Sequence, residues 1–202
     1  MGSTVPSLLW FRGEIMGFFN DLKRALVHSM KSEEPKNNYS QTFSFSHITQ
    51  NVAELSKLPP ASLDSAFKTA ALTLVALCRY KDSPEDCFEM INFLKGPEDI
   101  SEYEKQFLKE RLSGKEYLPF SYFDGSSVEN AYIPSSPLTI SVYETPYSFE
   151  NESWATLWVK SSGADNMRSI KLRKKPSTGQ WFLNDIQCLS EIKKPKVLDK
   201  WA

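Results

Sequence analysis

Histidine is scarce in this 202-residue sequence: there are two, His28 and His47, and neither has a cysteine near it. Zinc centres need Cys and His at short, regular spacings, so no metal is expected here. His47, beside Phe45 and Ile48, reads as a satisfied half-buried side chain rather than a base. Cysteine is nearly as rare. Cys78, Cys87 and Cys188 are odd in number and show no CxxC spacing, which excludes a disulfide scaffold and points to a reduced, cytoplasmic setting. The 8 glycines are mostly single and sit in turn-like surroundings. No Walker loop, GxGxxG, GxSxG or HExxH occurs, so neither a nucleotide cofactor nor any other cofactor is expected. No run approaches the roughly 18 apolar residues of a membrane span. A net charge of -1 exerts no global pull toward nucleic acid or an anionic membrane, so nucleic acid is an unfavoured partner and any electrostatic contact must be local.

What is present is ample core material, with 41% hydrophobic and 13% aromatic residues, enough to exclude wholesale disorder. The stretch from Trp154 to Leu189 carries strand signals. Thr156, Trp158 and Val159 precede a Gly163-Ala164-Asp165-Asn166 turn. Ile170 and Leu172 then alternate with Lys171, Arg173 and Lys175, the period of two of a half-buried strand with one basic face. Pro176 to Gly179 turns the chain again before Trp181-Phe182-Leu183. Short connections join antiparallel neighbours, so a meander is expected here. Leu138, Ile140 and Val142 offer a fourth strand, and Phe43 and Phe45 a short edge piece.

Upstream, helical spacing dominates. Gln50 to Lys57 reads as a short helix before Pro59-Pro60. Leu63, Phe67, Ala70, Leu74 and Leu77 form one apolar stripe, and the segment from Ala70 to Cys78 is apolar nearly all round, the pattern of a helix buried on several sides. Ser83-Pro84-Glu85-Asp86 is a helix start, and Ser101 to Glu104 fits a capping box on a helix expected to bury Tyr103, Phe107 and Leu108. The Tyr117–Pro137 connection is rich in Pro, Ser and Tyr and is expected to be clamped by its own aromatics, with Glu129 and Asn130 capping a local turn. The tail after Ile192 is expected over the surface, with Trp201 docked. The fold class expected is α+β: several helices, over about 50–113, packed on a small antiparallel sheet of three or four strands, over about 138–190.

Residues 1–38 read as an extension to a single domain over 39–202. Ile15, Phe18, Phe19, Leu22, Leu26 and Met30 recur at helical spacing, giving an amphipathic helix over 15–30 that packs on the domain or a partner, with membrane-surface contact as the alternative. Lys31 to Ser40 reads as a linker. The opening MGSTVPSLLWFRGEI lacks a basic n-region and a cleavage motif; it reads as an arm, or as a leader ahead of a start at Met16.

FLKGPEDIS, PFSYFDGSSVENAYIPSSP and WVKSSGADNMRSIKLRKK with GQWFLNDI carry a resemblance. With them the chain, from about Met16 onward, resembles an uncharacterised bacterial domain family of small cytoplasmic proteins with helices first and a terminal strand meander. The resemblance implies one folded unit and transfers no activity and no site residue.

The sharpest surface feature is the basic stripe of Lys160, Arg168, Lys171, Arg173, Lys174 and Lys175. It reads as a solvated sheet face, as a site for a protein or small anion, or, with Trp158 and Trp181, as a stacking platform for single-stranded bases. Tyr122 and Tyr132 in the adjoining loop are expected to complete a contact surface. Asp185, flanked by Leu183 and Ile186, needs a partner, and an ion pair with Arg168, Lys171 or Arg173 is expected. The function expected is a non-enzymatic cytoplasmic interaction module binding a partner protein or small anionic ligand. The alternatives are a hydrolase-like enzyme whose carboxylates converge only in the fold, and a toxin-neutralising, immunity-type protein.

Overall fold

In a computed structural model, which describes residues 39–201, five strands and four α-helices assemble in the order β1 (Ser40–Phe45), α1 (Val52–Leu55), α2 (Ala66–Cys78), α3 (Pro84–Lys95), α4 (Glu102–Leu112), β2 (Leu138–Tyr143), β3 (Trp154–Val159), β4 (Arg168–Lys174) and β5 (Trp181–Ile186). The helix expected over 15–30 lies outside the described residues. The sheet is antiparallel throughout with spatial order equal to chain order, β1-β2-β3-β4-β5. It has more strands than the sequence led one to expect, because the Phe43/Phe45 piece pairs along its full length with β2. No helix among the described residues is long and apolar enough to cross a membrane.

The period-two pattern dictates the two faces. Phe45, Ile140, Val142, Ala155, Leu157, Val159, Ile170, Leu172 and Leu183 are all buried on the face that meets the helices. Helix α2 lies across this face against β2 to β5. All its residues except Lys68 are buried, and side chains such as Leu72, Leu74 and Leu77 each stabilise the fold by about 1.5–3 kcal/mol on burial. Its hydroxyls are satisfied: Thr73 Oγ1 donates to the Thr69 carbonyl at 2.8 Å, and Thr69 Oγ1 to the Trp181 carbonyl at 2.7 Å.

Local signals set the helix starts. Ser65, Ser83 and Ser101 each accept a backbone N–H from the first turn, and Ser101 with Glu104 forms the expected capping box. Leu63 departs from expectation. It lies outside α2, in the left-handed region at φ 54°, after the 3-10 turn Pro59–Ser62. That conformation costs a leucine about 1 kcal/mol, but it aims the Leu63 carbonyl at the Trp181 N–H, 2.7 Å away. Two apolar side chains lack the expected cover: Tyr103 is 80% exposed and Trp201 96%.

The irregular connection before β2 is clamped by aromatics. Tyr117 and Tyr132 stack with centroids 5.5 Å apart at 9°, and the Tyr132 hydroxyl donates to the Lys193 carbonyl at 2.7 Å. Asn130 holds the turn from both ends, accepting from the Ser127 N–H and donating to the Gly125 and Ile133 carbonyls. Gly163 completes the clamp: a Cβ there would lie 1.9 Å from the Tyr132 hydroxyl.

Candidate functional site

Strand β4 presents Ile170 and Leu172 to the core and Lys171 and Arg173 to the outside, as its alternation requires. The basic residues do not form one surface. In the β3–β4 register Arg168 sits opposite Val159 and Arg173 opposite Trp154, so Lys160 and Arg173 belong to opposite ends of β3, about 20 Å apart at strand rise.

At the first end Arg168 is consumed by structure. Its guanidinium donates to the carbonyls of Asn166, Ser190 and Glu191, and it pairs with the Glu191 carboxylate at 3.3 Å. It fastens the C-terminal tail. Trp158, half-buried on the outer face, pairs with Ser169 and Tyr143. Lys160 is exposed at the rim of a groove of about 200 Å³. This groove exists because β2 and β3 share two residue pairs, Val142↔Val159 and Tyr143↔Trp158, and the SYFDGSS loop fills the splay. The Asp124 N–H binds the Thr139 carbonyl and the Ser162 N–H the Ser121 carbonyl, both at 2.9 Å.

Serine hydroxyls line that groove, and their protons are spent internally. Ser121 donates to the Leu118 carbonyl at 2.7 Å, Ser126 to the Phe123 carbonyl at 2.6 Å, and Ser162 to the Ser121 carbonyl at 3.1 Å, while Ser161, buried behind them, donates to Ser121 Oγ at 2.8 Å. None of these hydroxyls donates to a histidine or a carboxylate, so the cluster holds the loop rather than presenting an activated nucleophile.

The central cation, Lys171, faces Asp185 at 3.9 Å, the expected pairing for that carboxylate. Both side chains are more than a third exposed, so the pair contributes at most about 1 kcal/mol.

At the other end, where β4 turns into β5, lies a groove of about 190 Å³. Arg173, Lys174 and Lys175 form its cationic rim, and Pro97, Pro176 and Phe182 its apolar wall. Arg173 meets Glu98 at 3.4 Å and lies over the Trp154 ring at 5.2 Å. Lys174 lies over the Trp181 ring at 5.8 Å. Lys95, also in the lining, is held by Glu104 at 2.7 Å. Burial would raise the Glu104 pKa, but Lys95 and the Ser101 hydrogen bonds outweigh it and keep the carboxyl below its ordinary value. Lys174 and Lys175 form no ion pair among the described residues. The groove therefore offers unneutralised positive charge beside apolar surface.

Three aromatic rings assigned to the contact surface lie elsewhere. Tyr122 is 4% exposed, and its hydroxyl donates to the Cys188 carbonyl. Desolvation pushes that hydroxyl far above the ordinary tyrosine range. Tyr132 is 1% exposed and clamped as described, and desolvation first, then Tyr117 and Glu129, push it up to about 12. Trp181 is buried beneath Lys174 and packs edge-on against Phe149 at 5.7 Å. Their hydrogen-bonding and packing capacity is already used inside the fold. His47 is exposed rather than half-buried and bonds Ser46 and Glu54. Sequence reasoning missed Phe182 and Pro97 as parts of the groove wall, and Trp154 as the ring beneath Arg173. A hairpin centred on Gly163-Ala164 would have placed Trp154 opposite Arg173, whereas nothing local links Pro97 to β5.

No curated protein and no solved structure matches the chain. A family model described as a domain of unknown function (DUF6935) matches residues 47–196. The match takes in α1 to α4 and strands β2 to β5, with both grooves and the clamped loop, and contains the three stretches that carry the resemblance noted in the sequence. The chain belongs to the DUF6935 family.

Proposed function

We propose that the protein is a non-enzymatic interaction module of the cytoplasm that takes an acidic segment of a protein partner into the groove at the β4–β5 turn. The observation that carries this reading is the pair Lys174 and Lys175, which form no ion pair among the described residues and border the apolar wall of Phe182, Pro97 and Pro176. Carboxylates of an incoming segment meet charge-assisted donors there, while its apolar side chains cover the wall. An open groove of this size suits a few side chains of a longer segment. A small anion meets the same cations and serves as a competitor. A reducing compartment is supported by three cysteines that are all unpaired and buried. For Cys87 and Cys188 desolvation pushes the thiol up to about 12, so the thiolate needed for exchange is scarce at neutral pH.

The test is recovery of partners from native lysate by the wild type and by a K174E/K175E variant. The expected result is one or more acidic partners whose recovery falls at least tenfold in the variant and drops with added salt. Recovery that neither charge reversal nor salt alters would remove this surface from consideration.

A further inference from the structure

The opposite edge of the sheet carries an inference that does not rest on the groove. Strand β1 is an edge strand, hydrogen-bonded to β2 over six residue pairs from Ser40↔Tyr143 to Phe45↔Leu138. The direction of its backbone groups follows from one bond. The Glu144 N–H donates to the Tyr39 carbonyl at 2.9 Å, so Tyr39 faces β2. In an antiparallel ladder this orientation alternates. Gln41, Phe43 and Phe45 therefore also face β2, while the N–H and C=O of Ser40, Thr42 and Ser44 point away from the sheet. Among the described residues no backbone group bonds to these three from the outer side.

The composition of β1 decides what fits there. Edge strands are ordinarily guarded by lysine, proline or a bulge; Ser40-Gln41-Thr42-Phe43-Ser44-Phe45 has none of these and no charge at all. We infer that this edge pairs antiparallel with the same edge of a second copy, about a twofold axis through Thr42, to make one continuous ten-stranded sheet. The register is self-complementary. Thr42 meets Thr42 of the second copy, Ser40 meets Ser44, and each such pair exchanges two N–H···O=C bonds. The outward-facing residues are the ones that fall into hydrogen-bonded positions. A strand carrying even one charge near the axis would oppose its own image; β1 carries none. On the outer face the hydroxyl contacts Thr42–Ser141 at 2.9 Å and Ser44–Thr139 at 3.2 Å continue across the axis. Tyr39, 54% exposed at the strand end, gains cover beside position 45 of the second copy.

The test is the solution mass of the full chain by light scattering or sedimentation, from micromolar to millimolar concentration. The wild type is expected to approach twice 23.1 kDa. T42P removes the outward N–H at the axis, and T42K places two like charges there while keeping every backbone group. Both variants are expected to remain at monomer mass, with the circular dichroism of T42K unchanged. In an axial pair the Cα atoms sit about 5.5 Å apart, within disulfide reach. T42C is therefore expected to form a reducible covalent dimer in oxidised glutathione, and S141C, off the axis, is not. A wild type that stays monomeric throughout, a dimer that T42K leaves intact, or equal cross-linking of T42C and S141C overturns the inference.

Discussion

The two edges of this sheet are finished in opposite ways. At β5 the first residue has both backbone groups taken: the Trp181 N–H by the Leu63 carbonyl and its C=O by the Thr69 hydroxyl, each at 2.7 Å. Helix α3 packs beside the strand, and Ile91 of α3, Ile100 of the α3–α4 connection, and Phe107 and Leu108 of α4 line a small cavity with Leu183 and Ile186. A register shift at Asn184 bends it, with Lys171 opposite Asp185 and Leu172 opposite Leu183. Gly96, at φ +71°, brings the end of α3 against the Phe182 ring. Strand β1 has none of these devices among the described residues. The same antiparallel geometry is thus closed on one side by covalently distant segments and left available on the other. Closure of an edge is a property of what packs on it, and availability a property of what does not.

This contrast breaks most readily at the sealed edge. Trp181→Ala is expected to cost about 3–5 kcal/mol, measured by urea unfolding, because the ring is buried against Phe149 and beneath Lys174. Gly96→Ala comes next at about 2–3 kcal/mol, the sum of a left-handed backbone and an overlap with the half-buried Phe182 ring. The built Cβ lies 2.2 Å from Phe182 Cδ1, so adding Phe182→Leu should recover the steric part and leave the backbone part. Thr69→Val strands the Trp181 carbonyl and is expected to cost about 1–3 kcal/mol; a loss no larger than that of a surface substitution would show that the edge is not held by this bond.

Smaller effects sharpen the comparison. Glu104, on the sealed side, has its native pKa below the ordinary 4.5, so its stabilising contribution is present above about pH 4.5 and is lost as pH falls through the lowered value. Glu104→Gln should remove that part of the acid dependence, by less than about 1 kcal/mol because the side chain is 38% exposed. At the open edge Thr42→Lys should change monomer stability by no more than about 0.5 kcal/mol, as seen in urea unfolding. An open edge has little to lose in the monomer. A large loss there would mean that β1 is supported from outside by contacts beyond β2.

Much of the fold was legible because its signals are local. The alternation from Met167 to Lys175 assigns Ile170 and Leu172 to the core, and both are fully buried. Ser83-Pro84 and Ser101 to Glu104 start helices because a serine oxygen and a proline ring act on the adjoining turn. The buried helix over Ala70 to Cys78 was legible for the same reason: no side of it is polar. The expectations that differ from the structure concern contacts made far along the chain. Tyr103 shares the helical face of its neighbours in sequence, yet no element among the described residues covers it. Leu63 continues the apolar stripe of α2, yet it serves β5 from a left-handed turn. The basic stripe looked continuous because lysines cluster near residue 171, while the register sends Lys160 and Arg173 to opposite ends of β3.

The sequence by itself determined which of the described segments are strands and helices, which face of each strand turns inward, and where two of the helices begin. Periodicity and capping act over a few residues, so they need no knowledge of the rest of the chain. Only the tertiary structure decided that β1 and β5 are the edges, that among the described residues cover is given to β5 and not to β1, and that Phe182 and Pro97 share a groove with Lys174. Those outcomes depend on which segments, up to 118 positions apart in the Gln180–Ser62 bond, win the competition to pack on one another, and a competition among distant partners leaves no mark in any local window.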